Sequence, residues 1–450
     1  MNDLLILGAG ASGLSLGILT GATILERNDT PGGHSLSTFV DGYTYDRGPH
    51  IMFSRSQLLL DCMVSSLGSN VHKCVRNNKV SVGDRLLKYP IENDLGTMTT
   101  EDRVACVTDY VKAQIRKATD EHVPSNLAEW FVGSFGEALT ELYFRPYNEK
   151  VWKTALEELS MVWSERIPAP PVEDVLKSAL GQSTEGYLHQ LHYHYPRVGG
   201  YSALMEAWSR GVLDSNIHLS TDVRKIMPTN GGLVISSSTG DFETRQAVST
   251  IPITHLPNLI DDIPSRVMES IGRLRTNATV IVTMGFSGQD RNQWTAVYVP
   301  DEDFMPNRIS YPAVFSPDNA PQNHFSIQSE IIVPTLADVA HLDDTFFRQH
   351  VYQGLSKRGL IPEGAELEST YVERYELAYV VYTQGYERDL DVVITWAREQ
   401  GLILHGRFGS HNYLNVDGCL EQSIGLAREL GFNLDDAEII RRFSGLGVGH

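Results

Sequence analysis

The feature that most constrains this chain lies between Met1 and His34, where a glycine-rich turn, Gly8-Ala-Gly10-Ala-Ser-Gly13, is set between two short apolar runs. Asp3 to Leu7 is long enough for one strand buried on both faces, and Leu14, Leu16 and Leu19 then recur at helical spacing. Ala22 to Leu25 predicts a second strand, which ends in Glu26. Strand, glycine turn, helix, strand and acid, in that order, describe a dinucleotide site. Gly8 permits the tight turn, and Gly10 lets the backbone approach a pyrophosphate. Gly13 lets helix and strand pack closely, while Ala11 and Ser12 open a helix whose N-terminus faces the phosphates. Glu26 stands where a ribose hydroxyl needs an acceptor.

A chain of 450 residues predicts two or three domains rather than one simple core. The formal net charge of −19 argues against nucleic acid or an anionic membrane surface as partner, since both select basic patches. It leaves room for an anionic small molecule, because a few arginines can dominate one cleft. Cys62, Cys74, Cys106 and Cys419 show no paired spacing and read as free thiols of a reducing compartment. Met1 leads straight into a strand, with no basic segment and apolar run of a secretory signal, and no stretch approaches 18 apolar residues. These features predict a cytoplasmic protein. His189, His192 and His194 cluster without a nearby carboxylate or cysteine, so no metal site is expected.

Beyond Glu26-Arg27 the sequence runs into Thr30-Pro31-Gly32-Gly33-His34. By itself this is a Pro-Gly-Gly surface turn. Placed directly after the ribose acid, it resembles the large FAD-dependent family of amine oxidases, protoporphyrinogen oxidases and UDP-galactopyranose mutases. There the second glycine pair brings backbone, here Gly33 and His34, close to the FAD. Later segments resemble the mutases in particular. Gly48-Pro49-His50 matches a stretch laid against the isoalloxazine ring, although a lone histidine is more often a hydrogen-bonded core residue. Tyr147, then Glu149-Lys150-Val-Trp152, Glu165-Arg166-Ile-Pro168 and Gly199-Gly200-Tyr201 follow in the mutases' order. The resemblance puts Trp152 on the substrate cleft; read from its helix alone, it is equally a packing anchor. Val223 matches a residue whose backbone holds adenine. Arg308, in Pro306-Asn307-Arg308-Ile309-Ser310, matches an arginine facing substrate. In His405-Gly406-Arg407 to Asp417, Arg407 matches an arginine beside the flavin and Tyr413 a tyrosine on the substrate diphosphate. Gly406, Asn415 and Val416 join the cofactor set. Two departures stand out. Asn415 replaces an aspartate, and Ala169-Pro170-Pro171 stands where the mutases carry a diphosphate-binding arginine.

The expected architecture is therefore α/β, a discontinuous Rossmann-like FAD-binding domain with a helical insert and an antiparallel-sheet substrate domain. The FAD-binding segments are expected at 1–95 (with a strand lent to the substrate sheet), 196–255 and 385–450, the insert at 96–195 with helices to about Gln190, and the sheet at 256–384. The resemblance implies a redox-neutral pyranose/furanose isomerisation of a nucleotide-linked sugar, using FAD in its reduced form, and allows a homodimeric assembly. That chemistry asks for groups that orient a sugar and stabilise a departing diphosphate, which Arg308, Arg407, Tyr413 and Tyr379 could supply. An FAD-dependent oxidoreductase of the same superfamily is the competing reading, and a flavin-binding protein without turnover a third.

Overall fold

The structure, a computed structural model, describes residues 2–119, 123–167, 170–182, 184 and 191–447. Its first layer is a seven-stranded sheet built on the Asn2–Leu7 strand. Leu5, Ile6 and Leu7 are fully buried, as an apolar run in a parallel sheet covered on both faces must be. Thr23–Leu25 lies parallel on one side of it and Gly240–Ser249 on the other. The Val223–Thr229 and Gly232–Ser237 hairpin extends the sheet beyond Gly240–Ser249, Ile217–His218 closes the opposite edge, and Leu402–Leu404 pairs parallel with Gly240–Ser249. The helix Ala11–Thr20 crosses between the first two strands and stops at Gly21, whose φ of 71° supplies the left-handed residue that ends a helix. Strands distant in sequence thus form one nucleotide-type sheet.

The second layer is an antiparallel sheet with one parallel joint. In order it runs Glu366–Val381, Arg275–Ser287, His324–Val333, Arg308–Ser310, Ala296–Tyr298, Asn78–Val82 and Arg85–Lys88. Period-two alternation gives it two unlike faces. Phe325, Ile327, Ile331 and Val333 join Val280, Val282 and Met284 under the helix Asp344–Lys357, which contributes Phe347, Val351 and Leu355. Ser326, Gln328 and Glu330 lie on the other face, all buried. Gln328 donates to the carbonyl of Asp46 at 2.8 Å. This polar face packs on the separate two-stranded ladder of Ser37–Val40 and Tyr43–Asp46, which follows the second glycine pair in sequence.

Between Thr100 and Ala179 the chain is mostly helical: Thr100–Thr119, Leu127–Phe135, Glu137–Trp152 with a π turn over Thr140–Phe144, and Val172–Ala179. These helices pack Phe131, Phe135, Tyr143 and Phe144 on Val80 and Leu87 of the second sheet. The helical reading to about Gln190 ends on residues outside those described. His192–Tyr195 is a strand, paired antiparallel with His72–Val75. Its alternation turns Tyr193 and Tyr195 inward and leaves His192 exposed. His189 lies outside the described residues. Among those described, no helix is long and apolar enough to cross a membrane.

Candidate functional site

The glycine turn is shaped for something to lie against it. Gly8 has φ of 103°, and a Cβ there would meet Thr250 Oγ1 at 2.3 Å. A Cβ on Gly13 would come within 1.9 Å of the Gly8 carbonyl, so helix and strand approach as closely as backbone allows. Gly10 is different: nothing lies within 4 Å of where its Cβ would be. The open space sits over the N-terminus of the Ala11–Thr20 helix, where free N–H groups favour an anion. Gly33 backs onto this turn, since its Cβ would touch Gly10 Cα at 3.2 Å, and Gly32 donates to the Ala9 carbonyl at 2.8 Å. The second glycine pair is thus packed onto the first.

Glu26 is buried. Its carboxylate accepts from Ala9 N at 2.7 Å, and from Asn28 N and Nδ2 at 2.9 and 2.7 Å. Two oxygens offer about four acceptor positions, so the acid fixes the turn and still has room for a hydroxyl. Arg27 follows it and contributes to the positive field at His34. Val223 opens its strand opposite Ser237. From the chain's far end, a Cβ on Gly406 would meet Ser12 Oγ at 2.4 Å, so the C-terminal motif closes over the same turn. Asn415 and Val416 begin the helix Val416–Glu429, with Asp417 in its first turn.

Further along this floor, cationic and neutral groups cluster. Burial, with Arg407, Arg47 and Arg27 beside it, pushes His34 down to about 4. Burial does the same to His50, helped by Arg407, His34 and Arg308, although the Gly48 carbonyl bonded to its Nδ1 opposes the shift. Both imidazoles are therefore neutral at physiological pH, and the positive charge belongs to the arginines. Arg47 donates to the Gly33 carbonyl at 3.3 Å. Its Nε, like that of Arg407, is buried without a hydrogen-bond partner. Buried donors are rarely left so, and two of them, on arginines whose charge is felt at His34, mark where a polar planar group fits.

The opposite wall is aromatic. Tyr379 and Tyr413 stack at 5.5 Å with 7° between their planes, and Trp152 stands edge-on to both, at 5.9 and 6.3 Å. Trp163 closes on Trp152 at 4.4 Å and on Tyr413 at 5.0 Å. Trp152 is 4% exposed, so it anchors the helix end and forms the wall at once. Trp152, Leu159, Trp163 and Tyr382 line a narrow cleft. Arg407 lies over the Tyr413 ring at 4.3 Å, a cation–π contact linking floor and wall.

Neither expected arginine is a free claw. Arg407 donates to the carbonyls of Leu414 and Ala378 at 2.9 and 2.8 Å. Arg308 is paired by its fork with Glu330 at 2.5 and 2.9 Å and reaches Tyr379 Oη at 3.4 Å. The arginine that faces solvent here is Arg166, which sequence reasoning passed over. It lies over Tyr413 at 4.9 Å and donates to the Tyr413 carbonyl. Its position in Glu165-Arg166-Ile-Pro168 was the available signal. Residues 168 and 169 lie outside the described residues, and Pro170 is buried.

The sequence profile of flavin-containing amine oxidoreductases matches residues 17–430. The chain belongs to that family. Its flavin fits the cradle over Gly10 and Gly33 and the two unpartnered guanidinium nitrogens. Among solved structures, reduced UDP-galactopyranose mutase is similar over 100% of both chains, with TM-score 0.88 and 22% identity. A provisionally named protoporphyrinogen oxidase from Exiguobacterium sp. 255-15 is similar over 95% of this chain and 98% of its own, with TM-score 0.74 and 18% identity. Putrescine oxidase bound to putrescine is similar over 95% and 98%, with TM-score 0.67 and 13% identity. At these identities the likeness is one of fold.

Proposed function

We propose that this family member is a flavin-dependent sugar mutase, which interconverts ring forms of a nucleotide-linked sugar with FAD in its reduced state. The observation that carries the proposal is the wall made by Trp152, Tyr379 and Tyr413, bridged by Arg407 to the cofactor floor. The full-length likeness to reduced UDP-galactopyranose mutase supports it. A reduced flavin supplies a nucleophile that a redox-neutral isomerisation regains at the end. The chain's own groups do the rest. Arg407 and Arg166, both over the Tyr413 ring, offer positive charge to a departing diphosphate, and the aromatic rings exclude water from the sugar. Arg308, held by Glu330, orients Tyr379. His34 and His50 stay neutral beside the flavin, so neither donates a second positive charge there.

Pro170 and Pro171 occupy the segment where the mutases carry an arginine, and Arg166 is exposed where Arg308 and Arg407 are half-buried, so Arg166 takes the principal anion-binding role. The test is to give UDP-galactopyranose to pre-reduced protein without oxygen and to separate the products. A ring isomer of unchanged mass supports the mutase. The family match gives the competing reading, a net oxidoreductase, whose product would be two hydrogens lighter.

A further inference from the structure

Lys150 is 8% exposed, and the ends of four main-chain carbonyls surround its ammonium. Nζ donates to Val299 O at 2.8 Å, Asp301 O at 2.8 Å, Phe304 O at 2.7 Å and Pro306 O at 2.8 Å. An ammonium carries three hydrogens, so four acceptors gather round it as they would round a spherical cation rather than as directed partners. The distances exceed the 2.3–2.6 Å of calcium–oxygen bonds, and a ring of neutral carbonyls is how proteins replace the hydration shell of a monovalent ion. We propose that the 299–306 loop forms a monovalent-cation site which this chain fills with its own Lys150 ammonium, and that Lys150 thereby positions Arg308, which reaches Tyr379 of the aromatic wall.

The loop joins two short strands of the second sheet, in which Tyr298 is the register partner of Arg308. Val299 N donates to Asn307 O, and Asn307 N to Glu330 O, both at 2.9 Å, so the loop's base is tied to the carboxylate residue that holds Arg308. Its outer side is held by other means: Asp303 pairs with Lys357 and Arg358, and Met305 N donates to His350 Nε2 at 3.0 Å. Only the inner carbonyls depend on Lys150. Lys150 sits two residues before Trp152 on the helix Arg145–Trp152, so one helix end supplies both the ion and part of the cleft wall. Burial and the charge of Lys153 push the lysine downward. The four carbonyls oppose this, since each accepts from the charged form.

The experiment uses the flavin-loaded Lys150→Ala protein, which opens the cage without supplying an ion. Melting is followed in 200 mM tetramethylammonium chloride and in 200 mM ammonium or potassium chloride. Removing the ammonium strands four buried acceptors, so melting falls by about 5 °C in tetramethylammonium, which is too large to enter, and recovers in ammonium or potassium. Hydrogen exchange of the peptide covering Val299 to Arg308 rises at least tenfold in tetramethylammonium and returns toward the wild-type rate in ammonium. Peptides of the Ala11–Thr20 helix do not change. Wild type is indifferent to the choice of cation. Equal melting and exchange of the variant in all three salts would remove the cation site. Recovered melting with unrestored exchange would remove the positioning role. If Lys150→Ala does not fold, Lys150→Leu, which keeps the apolar stem, carries the same measurements. Neither readout uses a substrate, so the result stands apart from the fate of the mutase reading.

Discussion

Arg407 commits its guanidinium to two carbonyls and three aromatic faces, and leaves only its Nε without a partner. Lysine could reach one carbonyl but not hold the planar contacts together. Arg407→Lys is therefore expected to keep its fold and lose at least a hundredfold in turnover, measured on flavin-loaded protein. Near wild-type turnover would reduce Arg407 to a structural tie. At Gly10 the constraint is space, not backbone, because its φ of −75° suits any residue. Gly10→Leu should thus fold with little loss of stability yet purify colourless, as seen in its visible absorbance. A yellow Gly10→Leu protein would place the cofactor elsewhere. These residues were legible because each carries its motif in sequence. Arg166 was not, since its role comes from a cation–π contact with Tyr413, 247 residues away. The pairing of Arg308 with Glu330 was hidden likewise, because cross-strand register cannot be read from either strand alone.

The elements were legible in unequal measure. The Asn2–Leu7 strand was legible as the apolar run from Asp3 to Leu7, and the Ala11–Thr20 helix from the helical spacing of Leu14, Leu16 and Leu19. The His72–Val75 and His192–Tyr195 pair carried no such signal, since histidine and tyrosine alternation suits a strand only once its partner is known. At the glycine turn helix and strand meet with no room for a Cβ on Gly13. Gly13→Ala should lower stability by about 2–3 kcal/mol and weaken flavin retention, because its Cβ meets backbone that cannot yield. Urea unfolding with parallel flavin quantification checks both, and an unchanged midpoint would mean that the helix can shift without consequence.

The whole molecule has a defined response to acid. Burial pushes His34, His50, His405 and His411 down to about 4 from 6.5. Between those values the unfolded chain binds protons that the folded chain refuses, so stability is full above 6.5 and falls as pH drops toward 4. Asp46, raised by burial to about 6 from 3.8, acts the other way: it favours the folded state as pH falls through the same range. Four groups outweigh one. Urea midpoints should fall from pH 7 to pH 4.5, and His405→Gln, which keeps a hydrogen-bonding group near Ser423, should remove up to about 3 kcal/mol of that dependence. A slope unchanged in His405→Gln would show that this imidazole does not titrate with folding.

At the same scale the Gly406-Arg407 segment joins the glycine turn, through Ser12, to the aromatic wall, through Tyr413. The measurement that tests this arrangement most directly is the count of reducing equivalents consumed per product formed. Pre-reduced, oxygen-free protein given UDP-galactopyranose in large excess should form many products per flavin after a single reduction, with the flavin still reduced at the end. Two reducing equivalents consumed per product, or stoichiometric bleaching of the oxidised flavin by the sugar nucleotide with matching product oxidation, would contradict the mutase account.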